Sequence, residues 1–312
     1  MNKVVVIGGG NGQSTLVKGL KKFPLDITAI VTVADNGRST GRLRKEFHTP
    51  AVGDVRRVLV ALAETEPLVE KLFNYTFDTT SDLNGHKLGN LILTGATEIT
   101  GSLTEGVESL SKVFNLKGKV IPLTEDYVTL VAKMDDGTII EGEEEITFAN
   151  KRIEKVYYKE EPSINISAIN AIKEADAIVL SMGSLFTSII PNLISKDIID
   201  AIDSSKAKII YVSNMMTQPG ETDNFTVSDH VNLLNSYLGK RKIDTVIVNN
   251  KTIDLELIER YKVSEQKDQV VTDYENLKDI NVVEDDLFIV ENKLIRHDSL
   301  KLAFNIFAEI YK

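Results

Sequence analysis

Residues 3–14 read Lys-Val-Val-Val-Ile-Gly-Gly-Gly-Asn-Gly-Gln-Ser, a β-branched apolar run that ends in four glycines within five positions. A helical pattern follows. This is how a buried parallel strand feeds a loop whose backbone amides and helix N-terminus can hold a phosphate. Without Cβ atoms the loop can turn tightly and approach an anion closely. Gly9, Gly10, Asn11, Gly12 and Ser14 are therefore candidate ligand-binding residues. The spacing is not that of the dinucleotide fingerprint G-x-G-x-x-G, because Thr15 stands where a third glycine would follow Gly10 and Gly12. No Gly-Lys-Ser/Thr follows, so the loop is not a Walker A loop either. A tight strand-to-helix turn that binds nothing is the simplest competing reading.

Short apolar runs recur at Val4–Ile7, Ile27–Val33, Ala177–Leu180, Ile209–Val212 and Thr245–Val248. Near-continuous apolar strands suit a parallel sheet covered by helices on both faces. Helices are expected at 13–22, 54–64, 88–114, 167–175, 195–203 and 228–238. Asp298 is expected to cap a last helix whose Leu302, Phe304, Ile306, Phe307 and Ile310 lie mostly on its core side. Residues 118–160 break the pattern. Tyr127–Met134 and Thr138–Glu141 flank Asp135-Asp136-Gly137, a hairpin signal, and a strand at Arg152–Tyr158 follows. The fold class is α/β: a doubly wound, mostly parallel sheet with a small antiparallel β insertion at about 118–160. The whole chain, 1–312, reads as one unit. Glu141 to Glu145 reads as a solvated rim of that insertion, since neighbours in a strand point to opposite faces.

Composition removes several function classes. The chain has no cysteine, which excludes disulfides, thiolate metal sites and a cysteine nucleophile. A net charge of −10 disfavours a nucleic-acid partner, which needs a basic face. No apolar stretch is long enough to cross a membrane, and no apolar leader precedes the first strand. A cytoplasmic protein is the expectation, and a homo-oligomer is left open.

Three further loops join the first at the carboxyl ends of strands. Asp35 ends the second strand, where nucleotide-binding α/β proteins hold ribose hydroxyls. Asn36, Arg38 and Ser39 follow it in a loop rich in glycine, hydroxyl and guanidinium groups, suited to phosphate. Asp54 sits where it would cap the next helix, or it points into the cleft as a second carboxylate; the residues leave both open. With Asp35 it would suit Mg²⁺ ligation or proton abstraction if the chain is an enzyme. His86 precedes a helix, positioned to meet an anion, and Asn90 can bond a sugar or base. In the second half, Gly183 and Ser184 offer amides, Thr187 a hydroxyl, and Asn214 and Gln218 polar side chains on the same rim. Ligands of open α/β sheets bind at that rim.

Gly8-Gly9-Gly10-Asn11-Gly12-Gln13-Ser14-Thr15, Val33 to Arg44, Gly53-Asp54-Val55-Arg56, Gly85 to Asn90, Gly183 to Asn192 and Met216-Thr217-Gln218-Pro219-Gly220-Glu221-Thr222 occur in this order. Together they resemble the 2-phospho-L-lactate transferase (CofD-like) superfamily, and within it the YvcK-type gluconeogenesis factors of bacteria. The resemblance implies a Rossmann-like cytoplasmic protein. It also implies binding of a nucleotide-sugar such as UDP-N-acetylglucosamine, with NAD as another nucleotide to consider, and a role in cell shape during gluconeogenic growth. The transferase relatives move a phospholactyl group from a nucleotide-activated donor, so a phosphoester transferase using Asp54 and Mg²⁺ is the alternative. No cofactor is required by the regulatory reading. NAD-linked redox chemistry is a weaker third reading, with His86 and His230 as its untested groups. The chain departs from the superfamily at Asn11, Gln13 and Arg38, at Ser181-Met182, and at Asn36, which replaces a carboxylate and so removes a potential metal ligand or base.

Overall fold

The computed structural model describes residues 1–64, 67–291 and 294–312. β1 (Asn2–Gly8) runs into α1 (Gly10–Leu20), followed by β2 (Leu25–Val31), α2 (Arg38–Phe47), α3 (Gly53–Leu62), α4 (Pro67–Asn74), α5 (Leu88–Thr100) and α6 (Leu103–Val113). Then come β3 (Lys119–Pro122), β4 (Leu130–Met134), β5 (Ile139–Glu141), α7 (Glu143–Phe148) and β6 (Ile153–Tyr158). The second half contains α8 (Ile166–Lys173), β7 (Ala177–Leu180), α9 (Lys196–Ser204), β8 (Lys208–Val212), α10 (Val227–Tyr237) and β9 (Thr245–Asn249). α11 (Leu255–Glu265), β10 (Asn281–Asp285), β11 (Phe288–Glu291), β12 (Leu294–His297) and α12 (Ser299–Ile310) complete it.

Seven strands form a wholly parallel sheet in the order β10-β9-β8-β7-β1-β2-β3. The chain winds outward from β1 in one direction to β3, then from β7 in the other. The strand order thus reverses between β1 and β7, which is where an open α/β sheet leaves a crevice. The apolar runs explain this directly: Val4 to Ile7 and Ala177 to Leu180 are buried on both faces, so helices must cover both. A polar side chain enters the layer. Gln13 is fully buried, and its Nε2 donates to the carbonyls of Val6 and Ile30, at 2.9 and 2.8 Å, tying α1 to β1 and β2.

Several boundaries differ from the sequence reading. The stretch 88–114 is two helices, because Gly101 takes a left-handed conformation (φ +91°) and Ser102 caps α6 through the amide of Glu105. Lys119–Pro122 belongs to the main sheet as its edge strand β3, so the antiparallel sheet β5-β4-β6 begins only after it. Glu143 to Glu145 form the first turn of α7 rather than a strand rim, after Gly142 at φ +103°. In α12 Asp298 caps as expected, bonding the amides of Leu300 and Lys301, but Phe304 faces outward at 57% exposure. β11 and β12 pair antiparallel, a pairing the sequence reading did not include. Among the described residues no helix is long and apolar enough to cross a membrane.

Candidate functional site

The four loops lie at the carboxyl end of the sheet, but they line two clefts rather than one. The first, of about 710 Å³, opens at the β1/β7 reversal. Asn11, Gly12 and Ser14 from the start of α1 form one side, with Gly183 and Ser184 after β7 and Asn214 to Gln218 after β8. His297 and Arg296 of β12, with Tyr261 of α11, close the far wall. The second cleft, also about 710 Å³, is lined by Asp35, Arg38, Ser39 and Asn90, with Arg42, Arg56, Arg57, Lys87 and Glu143 among its other residues. Gly9, Gly10, Asp54 and Thr187 line neither; they form the ridge between them.

The glycine loop owes its composition largely to packing. A Cβ on Gly12 would lie 1.7 Å from the carbonyl oxygen of Met182, and Gly10 adopts φ +62°. The first amide of α1 is already engaged: Gly10 N–H donates to Asp54 Oδ2 at 2.7 Å. Asp54 therefore resolves into neither of the two roles the sequence allowed. It sits in the first turn of α3 without capping it, and instead caps α1 from outside. Its Oδ1 takes a hydrogen bond from the Arg57 guanidinium. Burial pushes the Asp54 carboxyl above its ordinary range, and Arg57 with the Gly10 amide opposes that shift.

Most other candidates are likewise committed to holding loops. Asn214 pairs with both backbone groups of Gly183, accepting from its N–H at 2.9 Å and donating to its carbonyl at 2.7 Å. Ser184 accepts from Thr187 N–H at 2.9 Å and donates to Glu221 at 2.5 Å, while Thr187 Oγ1 donates back to Ser184. The turn they cap, Leu185–Ile189, is π-helical, a form that recurs at functional sites. Asn36 turns away from the clefts, donating to Glu145 at 2.7 Å and accepting from the Glu144 amide at 2.8 Å. His86 faces Ser39, Nδ1 to Oγ 3.1 Å, and burial lowers its pKa. Ser39 and Asn90 do line the second cleft, linked at 3.2 Å. Asp35 accepts from the Gly37 amide at 2.9 Å through one oxygen. Arg38 takes a left-handed φ of +44° and is exposed at the cleft mouth.

Sequence reasoning missed two carboxyls. Burial pushes Glu143 up to about 8, helped by the charges of Asp35 and Asp54 and opposed by the Thr187 hydroxyl. Burial pushes Glu221 up to about 7. Glu143 stands in the first turn of α7, where a strand reading hid it, and Glu221 stands in the turn that Gln218 opens. Asp35 and Asp54 were the candidate Mg²⁺ ligands. Three of their four oxygens already accept hydrogen bonds from Gly37, Gly10 and Arg57. Among the described residues no group of three or more acidic or histidine side chains is arranged to hold a metal.

A family model described as 2-phospho-L-lactate transferase CofD matches residues 4–288, nearly the full chain and all of the loops above. The chain belongs to the CofD family. It is 45% identical over 304 residues to the gluconeogenesis factor of Bacillus subtilis, covering 96% of each protein. It is 43% identical over 303 residues to the gluconeogenesis factor of Halalkalibacterium halodurans, covering 96% of this chain and 94% of that one. A crystal structure of a UPF0052 family protein from Bacillus halodurans superposes with a TM-score of 0.94 at 42% identity, over 98% of this chain and 99% of that one. This CofD member therefore shares its α/β architecture, including the antiparallel insertion, with a solved relative.

Proposed function

We propose that this CofD family member is a cytoplasmic regulatory protein that binds a nucleotide-sugar of the UDP-N-acetylglucosamine type in the first cleft, and through it links carbon supply to cell shape in gluconeogenic growth. The observation that carries the reading is the placement of that cleft at the β1/β7 reversal. There Asn11 and Gly12, at the N-terminus of α1, line the cleft together with Gly183 and Ser184. A diphosphate is the group that helix N-terminal amides and a helix dipole hold. The volume of about 710 Å³ suits a nucleoside diphosphate sugar. The relatives named gluconeogenesis factor support the regulatory part. Titration calorimetry with UDP-N-acetylglucosamine on wild type and on Ser14→Asp tests it, since the new carboxylate would repel the diphosphate.

The family description favours a second reading, a phosphoester transferase with Asp54 as base. It requires Asp54 to leave Gly10 and Arg57. Turnover of a nucleotide-activated donor, lost in Asp54→Asn with the fold intact, would support that reading.

A further inference from the structure

The second cleft has a chemistry of its own. It gathers Arg38, Arg42, Arg56, Arg57 and Lys87, and among the described residues only Arg57 of these is ion-paired, to Asp54. Arg42 spends its guanidinium on the carbonyls of Asp82 and Asn84, which aims the 78–85 segment without neutralising the charge. Three helices of ten, ten and thirteen residues, α2, α3 and α5, begin at this cleft, and none has a side-chain cap. Their partial positive ends add to the cationic wall. Two polar atoms of lining residues have no partner in the protein: Nε of Arg56 and Oδ1 of Asn90, both residues being 2% exposed. One is a donor and the other an acceptor. Asp35 and Glu143 stand on the same cleft as further hydroxyl acceptors.

We propose that the second cleft is a separate ligand site for a small phosphorylated polyol or sugar phosphate, its phosphate on the Arg56–Lys87 wall and its hydroxyls toward Asn90 and Asp35. Cations alone would serve any anion. The orphan acceptor and the Asp35 carboxylate select a ligand that also donates hydrogen bonds, because a carboxylate facing bare phosphate is repulsive. Crowding of like charge is already evident: burial first, then Arg56, Arg57 and Arg38, lowers the pKa of Lys87. An anion relieves that crowding. The cleft shares no lining residue with the first, so the site stands whether or not a nucleotide-sugar binds there.

Calorimetry with glucose 6-phosphate, glucose and inorganic phosphate on the intact chain tests this. Glucose 6-phosphate is expected to bind, phosphate more weakly and glucose not at all. Lys87→Ala and Arg38→Ala, at partly or fully exposed positions, should each weaken it about tenfold, equivalent to ~1.4 kcal/mol. Ser14→Asp in the first cleft should leave it unchanged, and UDP-N-acetylglucosamine should not compete. The proposal fails if folded wild type binds none of the three probes. It also fails if Ser14→Asp or UDP-N-acetylglucosamine abolishes binding while Lys87→Ala does not, since the ligand would then occupy the first cleft.

Discussion

Asp54 Oδ2 lies 2.7 Å from the Gly10 amide nitrogen, so the first turn of α3 caps the helix that follows the glycine loop. An internal carboxylate thus holds the place an external anion takes in a phosphate loop. Asn11 and Gly12, next along the helix, line the first cleft. Asp54→Ala would leave Arg57 unpaired and Gly10 uncapped, at a cost of about 2–3 kcal/mol. Asp54→Asn should cost less, because its amide oxygen can still accept from Gly10. Thermal unfolding of the two variants checks the order; equal stability of all three proteins would remove the capping role.

Gly12 and Gly95 make a matched pair. A Cβ on Gly12 meets Met182 O at 1.7 Å, whereas nothing lies within 4 Å of one on Gly95, inside α5. Gly12→Ala should abolish or sharply reduce folded yield. Gly95→Ala should stabilise by roughly 0.5–1 kcal/mol through helix propensity. Denaturant midpoints measure both, and a well-folded Gly12→Ala would show that the loop can relax.

Asn36 bridges to α7, and its amide nitrogen touches Glu145. Asn36→Asp would set two carboxylates face to face and lose the donor. We expect destabilisation of about 1–2 kcal/mol at pH 7 that shrinks as the pH falls toward 4. Glu145→Gln added to Asn36→Asp should restore most of it. A single variant as stable as wild type at neutral pH would contradict the bridge.

Glu143 is protonated in the folded chain up to about pH 8, against 4.5 for its ordinary value. The folded state therefore holds a proton that the unfolded state releases, and stability falls as pH rises from about 4.5 to 8. Glu143→Gln should flatten that slope and melt above wild type at pH 8–9. Parallel melting curves for the two proteins across this window would refute the shift.

The fold was legible where burial forces a pattern. Val4–Ile7, Ala177–Leu180 and Ile209–Val212 are strands because continuous apolar runs can sit only between helix layers. What stayed hidden depended on tertiary context. Gly101 and Gly142 punctuate helices through left-handed geometry that composition alone does not reveal. The rim was legible, but its division was not. Asp54 joins Gly10, beside the first cleft, to Arg57 on the second across distant loops, and no local spacing encodes that. Likewise Asn214 and Ser184 looked like ligand groups because a polar residue on a rim loop reads the same whether it bonds a ligand or a backbone.

The most direct test of the account is calorimetric titration of the intact chain with UDP-N-acetylglucosamine, run beside Ser14→Asp and Lys87→Ala. Saturable one-site binding that Ser14→Asp weakens about tenfold or more, and Lys87→Ala leaves alone, is the predicted result. A folded wild type that takes up no UDP-sugar, or one whose binding survives Ser14→Asp unchanged, would contradict the first cleft as the nucleotide site.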